Sequence, residues 1–125
     1  MVPVNIDEHI DHDHRIVILT LTGQLSDADL LGLADRIENN PVISKDFGWL
    51  IDLRHSDGLQ ITTAGVREMA KRKLVLDASS RRAVVVPSAL GYGMARMYQM
   101  LRGDGAPRVF TDYDDAFRWA TTGKE

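Results

Sequence analysis

The sequence predicts an α/β fold in which a single mixed, mostly parallel sheet is covered by helices. Three observations lead to this class. Short apolar, β-branched runs alternate with stretches whose apolar residues recur at helical spacing. The segments between them are short and contain glycine, proline or asparagine. A length of 125 residues also suits one compact core, so residues 1–125 are predicted to form a single domain.

The bulk composition excludes several classes of protein. The formal net charge of -3 is small, which argues against a general affinity for nucleic acid. The chain has no cysteine, so disulfides, thiol catalysis and thiolate metal sites are excluded. No apolar run approaches the ~20 residues that span a bilayer, and no signal peptide is visible. We therefore expect a cytoplasmic protein without a transmembrane segment.

The first half of the chain predicts a hairpin, a helix and a central strand. Strands over residues 2–10 and 15–22 flank a polar turn, and Gly23 is expected to end the second strand. Ser26 and Asp29 have the spacing of a capping box for a helix that stops near Asn39. The next strand covers residues 47–53, with Asp52 as its only charge, and a polar loop is expected over residues 54–60.

The second half predicts three helices that alternate with two strands. Thr62 or Thr63 caps a helix that runs to Leu76 and carries an outward Glu68–Arg72 pair. A strand over residues 83–86, apolar on both faces, leads into a helix from Ser88 to about residue 102. A short strand at 108–111 and a final helix behind Asp112 complete the order ββαβαβαβα.

The helix that begins near Ser88 carries the most informative pattern. One stripe at helical spacing contains Leu90, Met94, Met97, Tyr98 and Leu101. Methionine stripes usually fill a core, but methionine also serves adaptable binding surfaces, so an apolar pocket beneath this helix is the alternative. Tyr92 and Arg96 share another face at i,i+4 spacing, where they can contact each other and a partner.

Several residues together resemble the STAS family of SpoIIAA-like, anti-sigma factor antagonist domains. They are Leu21-Thr22-Gly23, Leu50-Ile51-Asp52-Leu53, Val84-Val85-Val86-Pro87, Val109-Phe110 and Asp114-Asp115-Ala116. The resemblance covers most of the chain and implies a small regulatory module that works by binding. Some SpoIIAA-like relatives are thought instead to bind apolar ligands or membranes.

The resemblance also implies a phosphorylatable hydroxyl at the start of the helix after the central strand. Thr62 occupies that position, although Gln60 and Thr63 stand where the family usually has an acid and a glycine. A second register would match Ser56 to the hydroxyl. The alternative is that Thr62 serves only as a helix cap. Thr62→Asp should preserve stability in both cases, and it should change partner binding only if Thr62 is a regulatory switch.

Two further patterns suggest metal or cofactor chemistry only weakly. Histidine and carboxylate side chains are crowded into one turn, but they lack the i,i+4 spacing of helical metal sites, so no metal site is predicted; they are His9, Asp11, His12, Asp13 and His14. Gly91-Tyr92-Gly93 departs from a dinucleotide fingerprint at Arg96 and does not follow its strand directly. No cofactor is therefore expected.

The sequence as a whole favours a non-catalytic regulatory or protein-interaction module. Its partner would be another protein or a second copy of the chain, on a surface that includes Thr62, Tyr92, Arg96, Met94 and Met97. The alternative is a domain that binds a small molecule or lipid in an apolar pocket under the helix near Ser88. A packed interior would favour the first function, and an apolar cavity beneath Leu90, Met94 and Met97 would favour the second.

Overall fold

One five-stranded sheet and four helices make up the part of the chain that the computed structural model describes. That part comprises residues 4–39, 46–72, 80–87, 89–103 and 107–124. For residues 38, 58–60 and 89–92 within it, the structure describes the backbone but not the side chains. In chain order the elements are β1 Asn5–Asp11, β2 Ile16–Ser26, α1 Asp27–Glu38, β3 Gly48–Gln60, α2 Thr63–Lys71, β4 Arg82–Val85, α3 Ala89–Arg102, β5 Arg108–Phe110 and α4 Tyr113–Thr122. The predicted α/β class and the order ββαβαβαβα are confirmed.

The strands lie in the sheet in the order in which they occur in the chain, from β1 to β5. β1 and β2 form an antiparallel hairpin, and the three following pairs are parallel. Because parallel crossovers are right-handed, three successive crossovers in one direction carry α1, α2 and α3 to the same face of the sheet. α4 follows the last strand and packs on the opposite face.

Alternation along the strands supplies an apolar layer to each face of the sheet. Trp49 and Ile51 of β3 join the cluster beneath α1, whereas Leu50 joins the cluster beneath α4. α4 approaches β3 closely at Gly48, where an added Cβ would lie 2.9 Å from the carbonyl oxygen of Ala120. The sheet is therefore covered on both faces, by three helices on one and by a single helix on the other.

Two strands are longer than the sequence predicted. Gly23 does not end β2: it adopts a φ of 92° within the strand, which continues to Ser26 with register shifts. The expected polar loop at 54–60 is likewise part of β3, because residues 55–57 and Gln60 pair with β2. Backbone pairing between these extensions overrides the turn-forming composition that suggested a loop.

The predicted helix caps agree well with the structure where it describes them. Ser26 and Asp29 form the capping box of α1, Thr62 caps α2 and Asp112 caps α4. The predicted cap Ser88 lies outside the described residues. α2 is defined to Lys71 with its C-cap at Arg72, and the predicted extension to Leu76 falls in residues 73–79, outside the described part.

The predicted Glu68–Arg72 pair is wrong. Glu68 instead accepts a hydrogen bond from Lys71 at 3.0 Å. Arg72 turns towards α1, where its guanidinium pairs with Asp35 and donates to the carbonyl oxygen of Leu31 at 3.3 Å. Arg72 therefore links α2 to α1 rather than bracing α2 internally.

Candidate functional site

An apolar cavity of about 360 Å³ lies between the sheet and the three helices that cover one face. This volume falls within the ~300–1,000 Å³ typical of small-molecule pockets. The wall comes from every layer around the cavity: Leu25, Leu30, Leu33, Ile37, Ile51, Leu53, Ser56, Asp57, Ile61, Val66, Met69, Arg82, Val84, Val86, Pro87, Met94, Ala95, Tyr98, Pro107 and Val109. This interior meets part of the condition that the sequence set for the ligand-binding alternative, because Met94 lines the cavity and Met97 does not.

Strand alternation explains why the floor of the cavity is apolar. Ile51 and Leu53 project from the same face of β3, and Val84 and Val86 continue that face along β4 and just beyond it. The prediction that residues 83–86 are buried on both faces therefore needs correction at Val84. Ala83, Val85 and Val86 are buried, but Val84 is only half-buried because it faces the cavity.

The few polar groups of the cavity wall lie towards its two ends. Ser56 and Asp57 belong to the far part of β3, and the Ser56 hydroxyl donates to the carbonyl oxygen of Leu53 at 2.7 Å. Arg82 is paired in register with Trp49, near the beginning of β3, and the charge of Arg82 interacts with the phenol of Tyr98. Burial lowers the pKa of the Arg82 guanidinium, since the surroundings solvate its charge poorly.

Only part of the predicted apolar stripe of α3 lines this cavity. Met94 and Tyr98 do so, together with Ala95. Met97 is half-buried and Leu101 is 49% exposed, and neither of them lines the cavity. The side chain of Leu90 lies outside the described part of the chain.

Thr62 forms a compact hydrogen-bonded junction with the start of α1. Its hydroxyl donates to Asp27 Oδ2 at 2.6 Å and its backbone N–H donates to Asp27 Oδ1 at 2.9 Å. The same hydroxyl accepts from the N–H of Gly65 at 3.0 Å. Both hydrogen bonds from Thr62 lower the pKa of Asp27, and the bond from the hydroxyl has the larger effect. A carboxylate thus already occupies the N-terminus of α2, which favours the capping role of Thr62.

The predicted contact surface on α3 is described in part. Arg96 is exposed and donates to the side-chain oxygen of Gln99 at 2.7 Å. The side chain of Tyr92 lies outside the described part, so its contact with Arg96 stays a prediction. Met100 is 80% exposed and follows Arg96 at i,i+4 spacing. α3 therefore presents a positive charge and a large apolar side chain on one outward face.

A buried carboxylate marks the opposite face of the sheet. Asp52 is 2% exposed and receives hydrogen bonds of 2.9 Å from Nε and Nη2 of Arg54. Burial raises the pKa of Asp52, but the hydrogen bonds and charge of Arg54 outweigh it, so the pKa lies below its usual value. Arg54 in turn lies 4.8 Å from the ring centroid of Tyr113. This arrangement ties β3 to α4.

The turn that contains His12 and His14 directs these two side chains apart. His12 packs edge-on to Phe47, whereas His14 packs edge-on to Phe117, and these phenylalanines belong to the clusters on opposite faces of the sheet. Asp11 contacts His14 Nδ1 at 2.7 Å. Among the residues that the structure describes, no group of three histidine or carboxylate side chains could hold a metal ion.

Sequence reasoning missed most of the cavity wall. The contributions of Leu33 from α1 and Val66 from α2 depend on how the helices sit over the sheet, which periodicity does not reveal. Arg82 was not among the predicted site residues. A signal was nevertheless available, because alternation puts Arg82, Val84 and Val86 on one face.

Solved structures match the backbone over nearly the whole chain. An uncharacterised protein of the DUF3478 family with a SpoIIAA-like fold, from Shewanella loihica PV-4, is 19% identical, with a TM-score of 0.60 over 96% of this chain and 95% of its own. An anti-sigma factor antagonist from Mycobacterium paratuberculosis is 18% identical, with a TM-score of 0.62 over 94% of each chain. The fold is therefore SpoIIAA-like, and the resemblance noted in the sequence is confirmed at the level of fold.

Other comparisons add no family assignment. No protein-family model and no curated protein matches the sequence. Of the helices that the structure describes, none is both long and apolar enough to cross a membrane.

Proposed function

We propose that this chain is a non-catalytic regulatory module that acts by binding a protein partner. The observation that carries the proposal is a backbone shared over almost its full length with an anti-sigma factor antagonist. By analogy, the partner would be a protein of the anti-sigma factor class. The outward face of α3 supports this function, because arginine beside a large exposed apolar side chain is typical of interface anchors.

Charge reversal on that face tests the proposal. Anti-sigma factors from the host organism would be titrated against the wild type, the Met100→Glu and Arg96→Glu variants, and Arg118→Glu on α4 as a control. The control side chain is exposed on the other face of the sheet. The α3 variants should weaken binding at least about tenfold, and the control should not. Wild-type protein that binds none of these factors would contradict the proposed partner.

A second copy of the chain is the other partner that the sequence suggested. Sedimentation velocity over a range of concentrations measures self-association directly. If the α3 face joins two copies, Met100→Glu should shift the equilibrium to the monomer while Arg118→Glu leaves it unchanged. A wild type that stays monomeric at every concentration would rule out this partner.

The second candidate function is binding of a small apolar molecule, which the cavity beneath α3 specifically favours. Purified protein would be analysed by native mass spectrometry, and any bound molecule would be extracted with organic solvent. Ala95→Phe directs a ring into the cavity and should abolish occupancy, whereas Arg118→Phe, on the other face, should leave it intact. Equal occupancy in both variants would place any bound molecule elsewhere.

Phosphorylation of Thr62 is a further element of the proposed regulation. Thr62 is exposed and begins a helix, so a kinase could reach it. Intact-mass analysis of protein purified from its host, with and without phosphatase treatment, tests for the modification. If phosphatase does not change the mass under conditions in which the partner is regulated, Thr62 is not phosphorylated and acts only as a helix cap.

A further inference from the structure

The cavity carries opposite charges towards its two ends. Arg82 lies in register with Trp49, and Asp57 lies eight residues further along β3. At ~3.3 Å per strand residue, the two positions are separated by roughly 25 Å along the strand. Between them the wall is almost entirely aliphatic. A ligand in this cavity would therefore be oriented by its polar end.

The end of the cavity at Arg82 holds more positive charge than the described side chains around it balance. The groups that act electrostatically on Arg82 are the phenol of Tyr98 and the like-charged Arg102. In the described part of the chain no carboxylate pairs with either arginine, and Nε of Arg102 is buried without a hydrogen-bond partner. Burying a cation without an anion is unfavourable, so an anion placed here would relieve the imbalance.

We infer that the cavity binds an amphipathic anion, with its apolar body along the aliphatic wall and its headgroup paired with Arg82. This inference rests on the proposed apolar-ligand function and adds to it the class of ligand and the residue that selects it. A planar guanidinium can hold a carboxylate or a phosphate monoester through two parallel hydrogen bonds. Pairing of the headgroup with Arg82 at one end of the cavity fixes the orientation of the ligand.

Three probes of equal chain length test the inference by titration calorimetry, below their aggregation concentrations. Decanoate and decyl phosphate carry the two possible headgroups, and decanol carries none. The wild type should bind at least one anion about tenfold more tightly than decanol, as expected for a charge-assisted pair. The anion that binds more tightly identifies the headgroup.

Variants separate the role of Arg82 from that of the cavity. Arg82→Gln should bind the preferred anion and decanol about equally, Arg82→Lys should retain part of the preference, and Arg118→Gln on α4 should behave as the wild type. Decanoate labelled with ¹³C at its carboxyl group adds a second readout. Arg82 should lower the pKa of the bound carboxyl group, and Arg82→Gln should return it towards the value in water.

The possible failures are distinguishable. If no probe binds the wild type, both the apolar-ligand function and this inference fail. If decanol binds as tightly as both anions, the apolar-ligand function stands and the inference is wrong. If the anion preference survives in a folded Arg82→Gln variant, the headgroup binds elsewhere and the inference is equally wrong. Should Arg82→Gln not fold, Arg82→Lys and the wild-type comparison still decide.

Discussion

At the scale of single residues, Asp27 connects two helices. It is the first residue of α1, yet its carboxylate accepts two hydrogen bonds from Thr62, the cap of α2. The Thr62 hydroxyl must donate to Asp27 and accept from Gly65 at the same time. An aspartate side chain at position 62 could accept but not donate. The expectation that Thr62→Asp would preserve stability therefore overlooked the hydrogen bond that the Thr62 hydroxyl donates to Asp27.

The first prediction compares three substitutions at Thr62, of which Asn and Asp are isosteric with each other. Thr62→Asn retains a donor and an acceptor and should melt close to the wild type, whereas Thr62→Asp places a second carboxylate beside Asp27 and should melt lower. Thr62→Ala should lose about 1 kcal/mol, the usual value of a helix cap. Thermal unfolding at neutral pH measures all three variants. The difference in melting temperature between Thr62→Asp and Thr62→Asn should become smaller in high salt.

Equal stability of the Asp and Asn variants would contradict the Asp27–Thr62 junction. The same junction bears on the proposed modification. A phosphate on Thr62 would meet the Asp27 carboxylate as a like charge. Phosphorylation is therefore expected to loosen the contact between the starts of α1 and α2, which hydrogen exchange of the Gly65 amide would detect.

The second prediction concerns Asp52 and acid stability. Its pKa in the folded protein lies below the ordinary 3.8, so the Asp52–Arg54 pair stabilises the fold above that value. The stabilisation is lost as the pH falls through the lowered pKa. Asp52→Asn should reduce the free energy of unfolding by about 1–3 kcal/mol at pH 7. The loss should be smaller near pH 3.

Urea unfolding from pH 7 to pH 2.5 measures this difference. Asp13→Asn in the exposed hairpin turn provides the control, because its carboxylate has no comparable buried partner among the described residues. If the free energies of unfolding of the wild type and of Asp52→Asn differ by the same amount at every pH, the charge of Asp52 does not contribute to stability.

At the scale of elements, the sequence predicted helix starts better than strand ends. A cap such as Ser26 or Asp112 acts on backbone N–H groups a few residues away, so its signal is local. The ends of β2 and β3 depend on pairing between segments more than 30 residues apart. Gly23 and the polar residues after Arg54 could not reveal that pairing. Tertiary hydrogen bonding there outweighs local propensity.

The third prediction contrasts two helical glycines. An added Cβ at Gly65 of α2 would collide with the carboxylate of Asp27, whereas one at Gly93 of α3 meets nothing within 4 Å. Gly93→Ala should therefore stabilise the protein by ~0.5–1 kcal/mol through helix propensity alone. Gly65→Ala should destabilise it by ~1–3 kcal/mol, as overpacking does. Chemical denaturation of both variants gives the comparison.

A change in stability opposite to the predicted one would also be informative for either glycine. A stabilising Gly65→Ala would mean that Asp27 moves aside easily and that the starts of α1 and α2 are not held together. A destabilising Gly93→Ala would mean that the exposed side of α3 contacts a neighbour, such as a second copy of the chain.

At the scale of the whole molecule, the cavity follows from topology. Successive crossovers in one direction place three helices on one face of the sheet, and these helices do not fill the space above β3 and β4. The sequence predicted the strands, the helices and a methionine-bearing helix. It could not predict the volume between them, because that volume depends on how far the helices stand from the sheet. Arg82 was visible as a residue but not as part of a site.

Methyl-selective NMR of the wild type titrated with decanol tests whether the cavity on the three-helix face binds an apolar chain. Methyl groups on the other face of the sheet serve as internal references. We predict that chemical-shift changes will concentrate at the cavity methyls of Leu33, Val84 and Met94, while Ile16 and Val85 beneath α4 stay unchanged. If saturating decanol leaves the chemical shifts of the cavity methyls unchanged, or changes those of both faces equally, the cavity does not bind an apolar chain.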